Sequence, residues 1–155
     1  MTGGGAGTTR PPEKARPPVA AGLTRAKSPR AVAEATDTIF SMVTDTAALR
    51  AIGLGPDGVV AGLRPGAVWV EMSTVSPAVT REMGQAAAAR GAALIDAPVS
   101  GSAVTVEAGQ LSFMVGGDPA ALEKVRPHIL AIGPTITHVG ELGLAVAMKM
   151  ATHLK

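Results

Sequence analysis

The stretch AVWVEMSTVSPAVTREMGQAAAARGAALID, residues 67–96, decides the fold class of this chain. Residues 67–72 form an apolar run of strand length, and Ser76-Pro77 then opens a helical segment that Gly91 stops. Residues 92–96 have the composition of a second strand. A strand, a helix and a strand in this order predict a βαβ unit. Because both strands are apolar throughout, they predict a parallel sheet that is covered on both faces.

The same alternation continues on both sides of this stretch. Further strands are predicted where a short apolar run lies between turn residues, over residues 38–43, 111–115 and 135–139. Further helices are predicted where Ser, Thr or Asp precedes an apolar segment, over residues 29–35, 47–54, 119–132 and from about 142 onward. We therefore expect an α/β fold with a parallel sheet covered on both faces.

Composition limits the classes of function. The 155 residues suffice for one domain with a core. Aromatic residues are only 2% of the chain, so few side chains can stack on bases, and we expect no nucleic-acid partner. Cysteine is absent and three histidines lack clustered carboxylates, so no metal site is predicted. No apolar run has the length of a membrane span, and Gly and Pro interrupt the N-terminus where a signal peptide is apolar. A cytoplasmic protein without membrane partners is predicted.

Residues 1–20 are dominated by Gly and Pro and contain two Pro-Pro pairs. Such a segment buries little apolar surface, so we expect a disordered tail. The literal G-x-G-x-x-G of the chain is Gly53, Gly55 and Gly58. A phosphate-binding loop follows a strand and opens a helix, whereas these glycines follow a predicted helix. No dinucleotide-binding loop is therefore predicted.

Three groups of polar residues follow predicted strands or lie on the last helix. Thr74 stands just past a buried strand, where it can contact a ligand or belong to a helix cap. Ser100-Gly101-Ser102 also ends a strand and can hold an anion or form a tight turn. Lys149 can be a surface lysine or, beside a substrate, a proton donor. The residues alone leave these alternatives open.

In order and spacing, five segments resemble the β-hydroxyacid dehydrogenase family, which includes 3-hydroxyisobutyrate dehydrogenase, tartronate semialdehyde reductase and 6-phosphogluconate dehydrogenase. The resemblance runs from about Gly22 to Lys155. It rests on residues 40–45, 58–77, 95–102, 109–118 and 137–149. It implies an oxidoreductase that uses NAD or NADP to interconvert a small β-hydroxy acid and its semialdehyde, and that can form a homo-oligomer.

The resemblance also implies roles for individual residues. Lys149 matches the catalytic lysine, the general acid when a carbonyl accepts hydride and the base in the reverse direction. The implied cofactor contacts are Val43, Thr44 and Thr74. The implied substrate contacts are Ser100, Gly101, Ser102 and His153. Ser102 replaces a glycine of the family and His153 replaces an asparagine, so both positions depart from the family pattern.

The resemblance implies that residues 21–140 are a partial NAD(P)-binding domain with a Rossmann-like, doubly wound parallel sheet. It also implies that residues 141–155 begin an interdomain helix. We expect the family's first βαβ unit, with its glycine loop, and its helical second domain to be missing. We therefore expect weak dinucleotide binding by this chain alone. Two other hypotheses remain, a non-catalytic half-fold that pairs through its open sheet edge and an inactive remnant without a stable fold.

Overall fold

The computed structural model describes residues 6–8 and 24–152. Its eight strands are β1 Ala6–Gly7, β2 Thr24–Arg25, β3 Thr38–Ser41, β4 Val68–Glu71, β5 Ala93–Asp96, β6 Val99–Ser100, β7 Ser112–Gly116 and β8 Thr135–Gly140. Its seven helices are α1 Pro29–Ala35, α2 Thr46–Gly53, α3 Val59–Gly62, α4 Pro77–Ala89, α5 Ala103–Glu107, α6 Pro119–Ile132 and α7 Leu144–Thr152. Strands and helices alternate as expected.

The main sheet contains six strands in the order β3-β4-β5-β7-β6, with β8 paired to β7. The pairs β3–β4, β4–β5 and β7–β8 are parallel, so the predicted α/β class with a parallel, Rossmann-like sheet is confirmed. The sheet is not parallel throughout, because β7 is antiparallel to both β5 and β6. A parallel return needs a crossover of about a dozen residues, usually a full helix. Between β5 and β7 the chain forms only β6 and the five-residue α5.

The two faces of the sheet carry two separate apolar cores. Ile39, Trp69 and Leu94 are register partners on neighbouring strands, and they belong to the core beneath α2 and α4. Val70 and Ile95 are also partners, and they belong to the opposite core beneath α6. Side chains alternate between the faces of a strand, so apolar runs fill both cores. The expectation of a sheet covered on both faces is confirmed.

Several helix starts follow the predicted caps. The side chain of Ser28 accepts a hydrogen bond from the N–H of Ala31 at 3.1 Å. Asp45 caps α2 in the same way, and Asp118 caps α6 by accepting the N–H of Ala120 at 3.0 Å. Gly91, at φ +75, ends α4 in a conformation that favours glycine. These signals were readable because each cap involves residues only a few positions apart.

The prediction of a disordered tail over residues 1–20 is corrected at Ala6–Gly7. These residues form β1, which is parallel to β2, and the N–H of Ala26 donates to the Gly7 carbonyl at 2.7 Å. Backbone hydrogen bonds need no particular side chain, so a composition argument could not find this strand. Thr8 is described as well, and the rest of the predicted tail lies outside the described residues.

Four further short elements were not predicted: β2, α3, β6 and α5. The N-cap of α3 is Gly58, whose missing side chain leaves no capping signal. Ser102 caps α5 through a reciprocal capping box with Thr105. Within residues 6–8 and 24–152, no helix combines the length and the apolar character needed to cross a bilayer. In the same residues, no group of three or more His, Cys, Asp or Glu side chains could hold a metal.

Candidate functional site

The polar residues of the site lie at the carboxyl ends of three neighbouring parallel strands. Ser41, Glu71 and Asp96 are the last residues of β3, β4 and β5, and they are register partners of one another. Register partners point to the same face of the sheet, so three polar side chains form a row across it. The loops that follow these strands leave the same edge, which is where open α/β sheets bind ligands.

Glu71 is the centre of a buried hydrogen-bond network at this edge. The Ser41 hydroxyl donates to Oε2 of Glu71 and accepts the indole N–H of Trp69 at 2.7 Å. The backbone N–H of Ser73 donates to Oε1 of Glu71 at 2.7 Å. Burial raises the pKa of the Glu71 carboxyl, and the hydrogen bonds from Ser41 and Ser73 partly oppose this rise. The network connects β3, β4 and the loop after β4.

The predicted cofactor residues lie on the two loops that this network holds together. The Val43 N–H donates to the Ser73 hydroxyl at 2.7 Å, which brings the loop after β3 against the loop after β4. Thr44 and Thr74 are exposed on these loops. The alternative of a helix cap is not realised at α4, because its N-cap Ser76 makes no side-chain capping bond. Thr74 is not the N-cap of α4, and its side chain is exposed.

Lys149 and Ser100, predicted to act on the substrate, are brought together. The Nζ of Lys149 donates to the Ser100 hydroxyl at 3.1 Å. Lys149 is only 8% exposed, whereas Ser100 faces solvent. The interpretation of Lys149 as a surface lysine is therefore wrong. A buried ammonium beside an exposed hydroxyl can serve as a proton donor to a bound molecule.

Gly101 and Ser102 follow Ser100 on the same exposed turn. A side chain at Gly101 would collide with Oγ1 of Thr105 and lie 2.6 Å from Cδ2 of Leu111, so both neighbouring side chains would have to move to accommodate it. The Ser102 N–H donates to Oγ1 of Thr105 at 2.6 Å, and the Ser102 hydroxyl caps α5. The groups of Ser102 are thus engaged within the turn. His153 lies outside the described residues.

Asp96 and Glu71 were not singled out from the sequence, although both are buried carboxylates of the site. Asp96 accepts the N–H groups of Gly143 and Val146, both at 2.8 Å, where α7 begins. The available signal was an acidic residue that closes an otherwise apolar strand, in VWVE and in ALID. A charge is rarely buried without partners, so such a position predicts a network. The partners themselves are not visible in the sequence.

A cleft of about 480 Å³ lies at the outer edge of β3. Most of its walls are apolar, and its hydroxyl groups come from Thr8, Ser41 and Thr44. Apolar walls with the exposed hydroxyl groups of Thr8 and Thr44 are typical of a small-molecule pocket, whereas the Ser41 hydroxyl is already bound to Glu71. The cleft-lining residues that the structure describes include no cation and no glycine turn between a strand and a helix to receive a pyrophosphate.

The literal glycine motif does not contribute to this cleft as a phosphate loop. Gly53 ends α2, Gly55 lies in the following turn at φ +89, and Gly58 precedes the four-residue α3. These glycines follow a helix, as expected. Gly53 is also required for packing, because a side chain there would lie 2.6 Å from the sulfur of Met83. The motif is structural.

The model of the family described as the NAD binding domain of 6-phosphogluconate dehydrogenase matches residues 6–140. The match begins before Gly22, so the resemblance expected from Gly22 onward extends through β1. From the sequence, we expected the resemblance to begin at about Gly22 and the whole first βαβ unit to be missing. The similarity begins earlier than that, at residue 6.

Individual relatives agree with this match. The chain is 40% identical over 135 residues to NAD-dependent L-serine dehydrogenase of Pseudomonas aeruginosa, covering 87% of this chain and 45% of that protein. It is 39% identical to 2-(hydroxymethyl)glutarate dehydrogenase of Eubacterium barkeri, and the match covers 88% of this chain and 45% of that protein. The structure of 3-hydroxyisobutyrate dehydrogenase from Mycobacterium tuberculosis with L-serine superposes with a TM-score of 0.85 at 32% identity. The superposition covers 95% of this chain and 50% of that chain. The chain spans about half the length of these relatives. It belongs to the β-hydroxyacid dehydrogenase family, through the part that corresponds to the NAD-binding domain of 6-phosphogluconate dehydrogenase.

Proposed function

We propose that this chain is part of an NAD(P)-dependent oxidoreductase of the 3-hydroxyisobutyrate dehydrogenase type, which interconverts a small β-hydroxy acid and its semialdehyde. The observation that carries the proposal is the contact of 3.1 Å between the Nζ of Lys149 and the exposed hydroxyl of Ser100. A proton-donating group beside a polar, solvent-open turn can supply the proton that carbonyl reduction needs in addition to a hydride. The family membership supports the same reaction.

The reaction assigns one task to each residue of this edge. When bound, a nicotinamide cofactor supplies the hydride for reduction or accepts it in oxidation. In reduction the ammonium of Lys149 donates a proton to the carbonyl oxygen of the substrate, and in oxidation its neutral amine takes the hydroxyl proton. Ser100 and the exposed turn at Gly101 orient the substrate carboxylate. Thr74 and the loop at Val43 and Thr44 hold the nicotinamide ribose.

The relatives indicate a nicotinamide cofactor and small hydroxylated acids as the chemical class. The proposal covers both NAD and NADP, because the roles assigned above concern the nicotinamide half that the two cofactors share. We place the protein in the cytoplasm, a proposal supported by the absence of cysteine from all 155 residues.

A chimera tests the proposal. Residues 6–152 replace the corresponding segment of the P. aeruginosa L-serine dehydrogenase, which supplies the rest of the family fold. NADH and NADPH formation is then measured with 3-hydroxyisobutyrate, glycerate and L-serine. We expect turnover of at least one acid, and we expect Lys124→Ala, which changes an exposed lysine, to leave the rate unchanged. A folded chimera that binds NADH but oxidises none of the three acids would contradict the proposal.

A non-catalytic interaction module is the second candidate, and one observation favours it. Within the described residues, β3 pairs only with β4, and its other edge borders the apolar cleft. An open edge of this kind can accept a strand from another chain. Hydrogen exchange of the Phe40 amide, which faces away from β4, tests this candidate. Slowed exchange in the presence of an aliphatic strand peptide, together with an inactive chimera, would favour the module over the enzyme.

A further inference from the structure

The carboxylate of Asp96 joins the end of β5 to the beginning of α7. Asp96 is 1% exposed, and each of its two oxygens accepts one backbone N–H, Oδ1 from Gly143 and Oδ2 from Val146, both at 2.8 Å. Hydrogen bonds to an ionised acceptor are among the stronger ones in proteins, and two of them from one carboxylate also set an orientation. Asp96 therefore restricts both the position and the rotation of α7.

The surroundings of Asp96 leave space for this arrangement and little else. Gly116 is the register partner of Asp96 on β7. A side chain at Gly116 would lie 2.5 Å from Oδ1 of Asp96 and 2.7 Å from the carbonyl oxygen of Glu141. Gly143, whose N–H meets Oδ1, has a φ of +89 that favours glycine. Two glycines thus allow the strand, the carboxylate and the helix start to approach closely.

Lys149 lies one helical turn beyond Val146, so the two residues project from the same side of α7. Its Nζ meets Ser100, which stands four positions after Asp96 along the chain. These contacts form a closed ring. It runs from Asp96 to α7, along α7 to Lys149, from Lys149 to Ser100, and back through β6 to Asp96. If α7 rotates or withdraws at its start, the contact between Lys149 and Ser100 cannot be kept.

We propose that Asp96 is a positioning residue, which holds α7 in the rotation that places Lys149 against Ser100. The inference rests on the proposed function, because that function gives the position of Lys149 its importance. Asparagine does not reproduce the arrangement. It retains one oxygen, and its NH₂ group would face a backbone N–H, so one donor at the start of α7 would be left without an acceptor.

The test uses the full 155-residue chain and needs neither cofactor nor turnover. Reductive methylation with formaldehyde and a borane measures the accessibility of each lysine, and mass spectrometry follows Lys149 against exposed Lys124. In the parent chain we expect Lys149 to react more slowly than Lys124. Asp96→Asn should accelerate Lys149 by roughly tenfold or more, as expected for the loss of a buried charge-assisted hydrogen bond. The rate of Lys124 should not change.

Asp118→Asn is the matched control, because Asp118 also accepts a backbone N–H at a helix start but caps α6, not α7. It should leave the Lys149 rate within about twofold of the parent, less than the loss of one hydrogen bond would produce. Equal acceleration by both variants would mean general loosening of the fold and would overturn the proposal. An unchanged Lys149 rate in a folded Asp96→Asn chain would also overturn it.

If Asp96→Asn does not fold, hydrogen exchange of the parent chain decides. The beginning of α7 contains all three groups and should open as one unit. The opening equilibrium measured from exchange of the Gly143 and Val146 amides should therefore equal the one measured from methylation of the Lys149 amine. A lysine that becomes reactive while both amides stay protected would overturn the proposal. These measurements are independent of the chimera, so an inactive chimera with a protected Lys149 would reject the proposed function alone.

Discussion

Lys149 combines two properties that a surface lysine lacks, a buried side chain and a polar partner at the edge where ligands bind. Hydride transfer to a carbonyl leaves a developing alkoxide. A positioned ammonium stabilises that charge and supplies the proton. Under the proposed function, Lys149 would therefore act through proton transfer as well as through its charge.

In the active chimera, Lys149→Ala should lower kcat by about a hundredfold or more, the usual effect of losing a general acid. Lys149→Arg should be nearly as slow, because arginine keeps the charge but does not release a proton near neutral pH. Steady-state assays that follow NAD(P)H absorbance measure both variants. A kcat within about threefold of the parent for Lys149→Ala would show that Lys149 is not the general acid.

Glu71 makes folding depend on pH through its raised pKa. The raised pKa means that the Glu71 carboxyl binds its proton more tightly in the folded chain than in the unfolded chain. Its stabilising effect is therefore complete below the unfolded value of 4.5 and is lost as the pH rises from there through the folded pKa. Hydrogen bonds from Ser41 and Ser73 hold the carboxyl in place in this buried position.

Urea unfolding between pH 4 and pH 8 tests this dependence by comparing the parent with Glu71→Gln. The free energy of unfolding of the parent, minus that of the variant, should decrease as the pH rises above 4.5 and then level off. Glu123→Gln is the control of opposite sign, because hydrogen bonding to Arg126 lowers the pKa of the exposed Glu123. A parent-minus-variant difference for Glu71 that increases with pH would contradict the assignment.

Helices α1 and α3 meet at a point where only glycine fits. A side chain at Gly62 would collide with the carbonyl oxygen of Arg30 and lie 3.0 Å from Cβ of Ala33. The first obstacle is backbone, which cannot move without displacing α1. In α4, by contrast, a side chain at Gly84 would meet only the side chain of Leu142, which can rotate away.

The same substitution should therefore have different effects in these helices. Gly62→Ala should lower the free energy of unfolding by about 1–3 kcal/mol, the range for overpacking against a fixed neighbour. Gly84→Ala should stay within about 1 kcal/mol of the parent, because alanine favours the helix and offsets the adjustment of Leu142. Urea denaturation followed by circular dichroism measures both. Equal destabilisation would mean that the contact of α1 with α3 is not rigid.

The described part of the molecule presents apolar side chains on the outer sides of α5 and α7. The exposed members are Val104, Val106, Leu144, Met148 and Met150. The opposite side of α7 is buried, with Ala145 and Val146 inaccessible to solvent. One side of α7 therefore packs against the domain, while its other side is apolar and exposed.

At increasing concentrations the chain should self-associate through this exposed surface. Sedimentation velocity should show a sedimentation coefficient that rises with concentration, and Met148→Glu should reduce the rise. Leu130→Glu, which adds the same charge at an exposed apolar residue of α6, is the control and should have little effect. A monomer at every concentration, or equal action of both variants, would contradict the prediction.

The sequence by itself determined the features that depend on near neighbours. Alternation of apolar strands with capped helices is encoded over a few residues, so the α/β class and the caps at Ser28, Asp45 and Asp118 could be predicted. Spaced motifs shared with a family identified Ser100 and Lys149, and the structure brings these two residues together.

Only the tertiary structure decided which distant residues became partners. Ser41 and Glu71 are 30 positions apart, and Asp96 and Val146 are 50 positions apart. Such pairs depend on strand order and register, which local patterns leave undetermined. The antiparallel direction of β7 and the strand Ala6–Gly7 could not be predicted for the same reason. Backbone hydrogen bonds form between distant segments whatever their side chains are. For this reason the buried carboxylates that organise the site became visible only after folding brought their partners to them.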